Sequence, residues 1–165
     1  MDLLDEFIVA WRYTRDGVIA EIENLPEDKF QKRPENLGRS ALDLANHVIE
    51  SGRLLRELAR PDADFQRKPY PELIAELMRP GDVTKSKAEA VAVLKRSFDE
   101  DVAELQKAGL ERLMQPIRQF NGEYATRLVW LHHGVAHEEY HRGQIALFAR
   151  LLGETPALTK SMGGT

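Results

Sequence analysis

Residues 126–153, TRLVWLHHGVAHEEYHRGQIALFARLLG, decide the fold. They read as one long helix from about Thr126 to Leu152, stopped by Gly153 with Pro156 just beyond. Four of the chain's five histidines fall in it: His132, His133, His137 and His141. Residues four apart share a helix face, so His137 and His141 can reach one ion, as can His133 and His137. At about 100° per residue, the positions within roughly 60° of His137 are Trp130, His133, Tyr140, His141, Gln144, Phe148, Leu151 and Leu152. His132, Glu139, Arg142 and Arg150 fall on the other side. The projection predicts that the histidine cluster faces inward and that His132 is the surface histidine. Several imidazoles on a buried face are expensive to charge together, and a metal resolves this by binding them neutral.

Working outward from this helix, Pro116, Asn121 and Gly122 mark a connection. Before it, Ser86 and Glu89 form a capping box that opens a helix with the stripe Val91, Leu94, Phe98, Val102 and Leu105, stopped at Gly109. Residues 61–85 hold five proline or glycine breaks, and PELIAELM within them predicts a short helix in a long crossover. Ser40, with Asp43 as a loose box, caps a helix expected to reach Ala59. Pro34, Asn36 and Gly38 mark the loop before it. Leu4, Phe7, Ile8, Trp11, Val18, Ile22 and Leu25 stripe the first helix, which ends at Pro26. Gly52 and Gly143 lie inside helices, where glycine costs up to about 1 kcal/mol against alanine, so both are expected to mark close helix contacts. The pattern predicts an all-α four-helix bundle over 1–153 and a mobile tail over 154–165. Two long connections argue against simple up-down-up-down topology.

Composition narrows the function. At 165 residues with 42% apolar and 30% charged residues, the chain is an ordinary single globular domain. A net charge of -4 and the lack of a basic stripe give no reason to expect nucleic acid. There is no cysteine, so a metal must be held by nitrogen and oxygen. No apolar run approaches the roughly 20 residues of a membrane span, and the N-terminus does not read as a secretion signal. A cytoplasmic protein is expected.

His47, the fifth histidine, lies beside the stripe Leu44, Ala45, Val48, Leu55 and Ala59 of the second helix. It is a geometrically sensible third nitrogen, because bundles build metal sites from facing helices. Asp43 and Glu50 lie within about a turn of it and could orient an imidazole or enter the metal shell. HEEYH at 137–141 formally matches the zincin motif, with Glu138 as general base. Its context disagrees, with Gln144 and Leu147 where an extended motif needs glycine and histidine. Glu138 and His141 also make one E-x-x-H, half of what a di-iron bundle requires.

The run H-x-x-x-H-R-G-Q-I at 137–145, followed by an apolar helix and G-x-x-P, resembles the signature of the DinB superfamily, the DinB/YfiT-like metalloenzymes. RSALDLANHVIES around His47 resembles the family's other block. The resemblance implies an up-down-down-up bundle and one divalent metal ion, nickel or zinc, held by His47, His137 and His141, with His133 beside the site. It also implies a homodimer, and some relatives transfer low-molecular-weight thiols. Three histidines leave an open coordination site, and an ion there can lower the pKa of water to near 7 or present a thiolate. The expected function is a metal-dependent enzyme that transfers a low-molecular-weight thiol to, or hydrolyses, a small molecule, with Glu50, Tyr140 or His133 handling protons. The rival reading is a non-catalytic metal- or small-molecule-binding module.

Overall fold

The computed structural model describes residues 2–33 and 38–164. Pro34 and Asn36 of the expected first loop, and Thr165 of the expected tail, lie outside the described residues. Helix α1, Leu3–Asn24, is opened by a capping box between Asp2 and Asp5. In α2, Ala41–Leu55, the Asp43 amide donates to the Ser40 hydroxyl at 3.1 Å, and the Ser40 amide donates to the Asp43 carboxylate at 2.8 Å. Beyond Leu55 the chain tightens into a 3-10 turn, Arg56–Ala59, so the segment predicted as one helix ends in two geometries. Helix α3, Tyr70–Leu77, is the short crossover helix. In α4, Lys87–Leu113, Gly109 adopts φ 75°, which ends the long straight part where expected and leaves one further turn.

The connection after α4 is more ordered than the sequence indicates. Strands β1, Pro116–Arg118, and β2, Tyr124–Thr126, form an antiparallel hairpin with Ile117 opposite Ala125. Strands of three residues are too short to show a period of two. Helix α5, Arg127–Leu151, follows directly. The expected mobile tail instead forms a short helix, α6, Ala157–Ser161. The buried Glu21 carboxylate accepts from the Ala157 and Leu158 amides at 2.8 and 3.0 Å, so an acid on α1 caps α6.

The four long helices run up-down-down-up. Along α1, Phe7 meets His132, Trp11 meets Glu138 and Asn24 meets Thr155, so α1 and α5 are parallel. Arg12 pairs with Asp99 while Leu25 accepts from Lys87, so α1 and α4 are antiparallel. Asn46 binds Thr84 and Arg53 binds Asp101, so α2 runs with α4. His47 faces His141 while Leu55 abuts Gly134, so α2 opposes α5. No helix among the described residues is long and apolar enough to cross a membrane.

Two apolar clusters make the core. One gathers Val18, Ile22, Leu44, Val48, Leu94 and Phe148, the other Trp11, Leu58, Phe65, Phe98, Leu105 and Leu131. Between them along every helix sits a buried polar layer of Arg15, Gly52, Arg53, Ser97, Asp101 and Glu138. Gly52 is required there, since a Cβ would stand 2.9 Å from the Arg15 guanidinium. Gly143 is not a contact glycine: it is exposed, and a Cβ at this position would meet nothing within 4 Å. The close-contact glycine of α5 is Gly134, whose Cβ would fall 2.6 Å from the Leu55 side chain.

Arg53 ties the crossover to this layer. Fully buried, it donates to Asp82 at 2.8 and 3.0 Å, to Asp101 at 2.7 Å and to Glu100 at 2.6 Å. Burial pushes Asp101 up to about 7, against the pull of the Arg53 and Arg15 charges. Removing the guanidinium strands two buried carboxylates. Arg53→Ala is therefore expected to cost about 3–5 kcal/mol in urea unfolding. Arg53→Lys should recover little of it, because an ammonium cannot reproduce the fork. A loss below about 1 kcal/mol for Arg53→Ala would show that the layer carries no such load.

Candidate metal centre

His47 comes from the middle of α2, and His137 and His141 from successive turns of α5 on the side that α2 covers. One ring nitrogen from each lies within 4.8 Å of the others. The ring centroids are 4.4 Å apart for His137 and His141, 4.8 Å for His47 and His141, and 5.1 Å for His47 and His137. His141 Nε2 stands 3.1 Å from His137 Nε2, and its Nδ1 is 2.7 Å from the Gln144 side-chain oxygen. With Nδ1–H donating to Gln144, the lone pair of His141 lies on Nε2 and faces its neighbours. Two nitrogen lone pairs aimed at each other repel unless a proton or a cation sits between them. The donor set fits a cation: three neutral nitrogens, partly buried, converging on one point.

The surroundings favour uncharged imidazole. Burial, then the neighbouring His141 and Arg39 charges, lowers His47 to about 4. Burial, then His141 and His47, lowers His137 to about 4. His141 is lowered by burial as well, with its bond to Gln144 working in the opposite direction. Buried His137 Nδ1 has no hydrogen-bond partner, and the opposing pull of the Glu138 charge is outweighed by burial and the neighbouring imidazoles.

The remaining candidates separate. His133 is exposed at the rim of a cavity beside the cluster, its ring 6.2 Å from that of His137, and it is not among the converging nitrogens. Glu50 lies one turn beyond His47 in a polar groove shared with it, and accepts from the Tyr70 hydroxyl at 2.7 Å. Tyr140 is exposed, 5.1 Å ring to ring from His141, and lines neither hollow. Asp43 is occupied by the Ser40 cap and by Arg33 at 3.3 Å, and lies outside the converging group. His132 is on the surface as expected, edge-on to Phe7.

The expected face of α5 is rotated. Glu138 and Arg142 are buried, whereas Tyr140 and Leu151 are exposed. Glu138 accepts from Arg15 at 2.5 and 2.9 Å and from the Trp11 indole at 2.8 Å. It points at α1, away from the histidines, so the zincin reading of HEEYH fails: the general base that motif needs is locked in an ion pair. Sequence reasoning also missed Tyr70 and Phe120, which reach the centre from the crossover and the hairpin. Only Gln144, three residues after His141, carried a local signal.

Comparison with known proteins identifies the family and the fold. The family model of the DinB superfamily matches residues 10–145, and the chain belongs to that superfamily. A DinB-like protein, YjoA, from Bacillus subtilis superposes with a TM-score of 0.68 at 20% identity, covering 91% of this chain and 93% of that one. YfiT from Bacillus subtilis, described as a probable metal-dependent hydrolase with an unusual four-helix bundle topology, superposes with a TM-score of 0.68 at 13% identity, covering 94% and 91%. No curated protein matches the chain by sequence.

The lowered histidines give a pH signature in the metal-free chain. Above about 6.5 both folded and unfolded chains hold neutral imidazole, and this part of stability is fully present. As pH falls toward 4 the unfolded chain takes up protons that the folded His47 and His137 refuse, and stability is lost. In chelator, wild type should lose more stability between pH 7 and 4.5 than the His47→Asn/His137→Asn double variant. Equal losses in thermal unfolding would contradict the burial of these groups.

Proposed function

We propose that this DinB-superfamily chain is a metal-dependent enzyme acting on a small molecule, by hydrolysis or by transfer of a low-molecular-weight thiol. The observation that carries the reading is the convergence of His47, His137 and His141 nitrogens within 4.8 Å. Three neutral donors, with no further histidine or carboxylate in the group among the described residues, suit an open site rather than a closed structural one. They would hold one divalent ion, nickel or zinc, through nitrogen donors alone. Bound there, it would supply Lewis acidity, lowering the pKa of a water or thiol and polarising an acceptor. The description of YfiT as a probable metal-dependent hydrolase supports the hydrolytic branch.

The chain's own residues divide the remaining work. Gln144 holds the His141 tautomer and so keeps its Nε2 lone pair on the site. Glu50 is the group placed to take a proton, and the Tyr70 hydroxyl orients its carboxylate. His133, at the rim, is a second group able to move a proton, and Tyr140 has the weakest geometric case. A non-catalytic binding module would also use the cavity, but it would not need a carboxylate beside the histidines.

The test combines metal content with turnover. His47→Ala, His137→Ala and His141→Ala should each lose stoichiometric metal in tag-free protein, while His132→Ala should retain it. Glu50→Gln should keep the metal and lower kcat about 10²–10⁴-fold on small esters or thiol acceptors. Metal retained in all four histidine variants would sink the assignment, and unchanged kcat in Glu50→Gln would remove that residue from proton transfer.

We also propose that the chain is a homodimer joined through α5. Val129, Ala136, Tyr140, Leu147 and Leu151 are exposed at alternating steps of seven and four, an apolar seam with no partner in the monomer among the described residues. Light scattering should give twice the chain mass for wild type and the single chain mass for Leu147→Glu. A monomeric wild type at micromolar concentration would contradict the seam.

A further inference from the structure

On the side of the histidine cluster that faces α3 and the hairpin lies a cavity of about 200 Å3. Its walls are Leu54 and Leu55 of α2, Tyr70 of α3, Phe120 of the hairpin turn, and Trp130 and Gly134 of α5. His47 and His137 belong to the same wall, so the hollow opens onto the converging nitrogens. No Asp, Glu, Lys or Arg lines it among the described residues. Its two hydroxyls are already committed: Ser51 donates to the Val48 carbonyl at 3.1 Å and Tyr70 to Glu50 at 2.7 Å.

The aromatic walls are braced from behind. Phe120 stacks on the buried Phe65 ring at 4.7 Å and 8°, while Tyr70 and Trp130 meet Phe120 edge-on at 5.8 and 5.6 Å. Trp130 also packs edge-on against Phe65 at 4.7 Å. These separations lie in the preferred range for aromatic pairs, so the box keeps its shape without a ligand. The opposite side of His47 is different in character, with Arg39, Asp43, Asn46 and Glu50 around a polar groove. An anionic group among the rings would meet no Lys or Arg and a cationic one no carboxylate, with only the exposed His133 imidazole at the rim. Either would bear a desolvation cost. The volume is below the roughly 300–1,000 Å3 of sites that enclose drug-sized ligands, so only part of a substrate fits.

We propose that this cavity is the apolar subsite of the substrate: it takes an uncharged aryl or similarly compact apolar group, whose adjoining polar atom lies at His47 and His137. The assignment rests on the metal-centre reading above for what happens at that polar atom. It depends on the cavity alone for the selectivity of binding. A substrate made entirely of charged or strongly hydrated groups is excluded by it.

Two thiols with the same head and different tails test it: benzyl mercaptan and 2-mercaptoethanesulfonate, titrated calorimetrically into the zinc-loaded chain. Benzyl mercaptan should bind at least about tenfold more tightly, a difference of ~1.4 kcal/mol. Leu54→Trp, which fills the hollow, should erase that preference while one zinc per chain is retained. Phe120→Ala, which removes the ring over Phe65 and opens one wall of the hollow, should weaken benzyl mercaptan and leave the sulfonate unchanged. Equal affinities in wild type, or a preference untouched by both substitutions, would overturn the proposal. Benzyl alcohol on the metal-free chain separates the two readings. Calorimetric binding seen in wild type but not in Leu54→Trp supports the cavity even if zinc stoichiometry is zero, a result that would overturn the metal reading alone. No response in either chain would count against the cavity itself.

Discussion

Arg15 on α1 and Glu138 on α5, each about 1% exposed, form a buried ion pair that fixes how α5 sits in the bundle. An unpaired charge at either position would carry several kcal/mol of desolvation cost, so the pair must close. Trp11 adds a third bond to the same carboxylate, and Leu94 accepts from the guanidinium, which leaves Glu138 one rotational setting. With Glu138 turned to α1, the residue before it and the residue three after it face α2. His137 and His141 are those residues. The histidine cluster is thus set by an ion pair on the neighbouring face of the same helix.

The same logic distributes charge through the bundle. Its middle layer holds Arg15, Arg53, Asp101 and Glu138, all buried and all paired, between two apolar clusters. Next to this layer the three histidines form a partly buried titratable group with no direct ion pair to a carboxylate among the described residues. Burial keeps them neutral, and neutrality makes them donors. The fold therefore tolerates charge where it is compensated and withholds it where lone pairs are needed. On one side of the donors lies an aromatic box, on the other a polar groove with Glu50, so the two ends of a substrate meet different chemistry.

Much of this is legible in the chain. Stripes such as Val91–Leu105 and caps such as Ser40 and Ser86 locate the helices, because capping and periodicity are local signals. The family resemblance supplies topology, which the contacts of α1 with α4 and α5 bear out. Other features are hidden for physical reasons. The rotation of α5 is set by Arg15, far away in sequence, so a projection centred on His137 places Arg142 outside and Tyr140 inside. Tyr70 and Phe120 reach the site from the crossover and the hairpin, where no periodicity predicts a direction. The docking of α6 depends on Glu21, an acid that reads as solvated until its partner amides are known.

Whether one ion sits among three imidazoles can be read directly by X-ray absorption at the metal edge of tag-free protein. The expected spectrum has a first shell of nitrogen and oxygen at about 2.0–2.1 Å and the outer-shell scattering of three imidazoles. A shell built from carboxylate oxygens, or one showing at most a single imidazole, would contradict the site assigned to His47, His137 and His141.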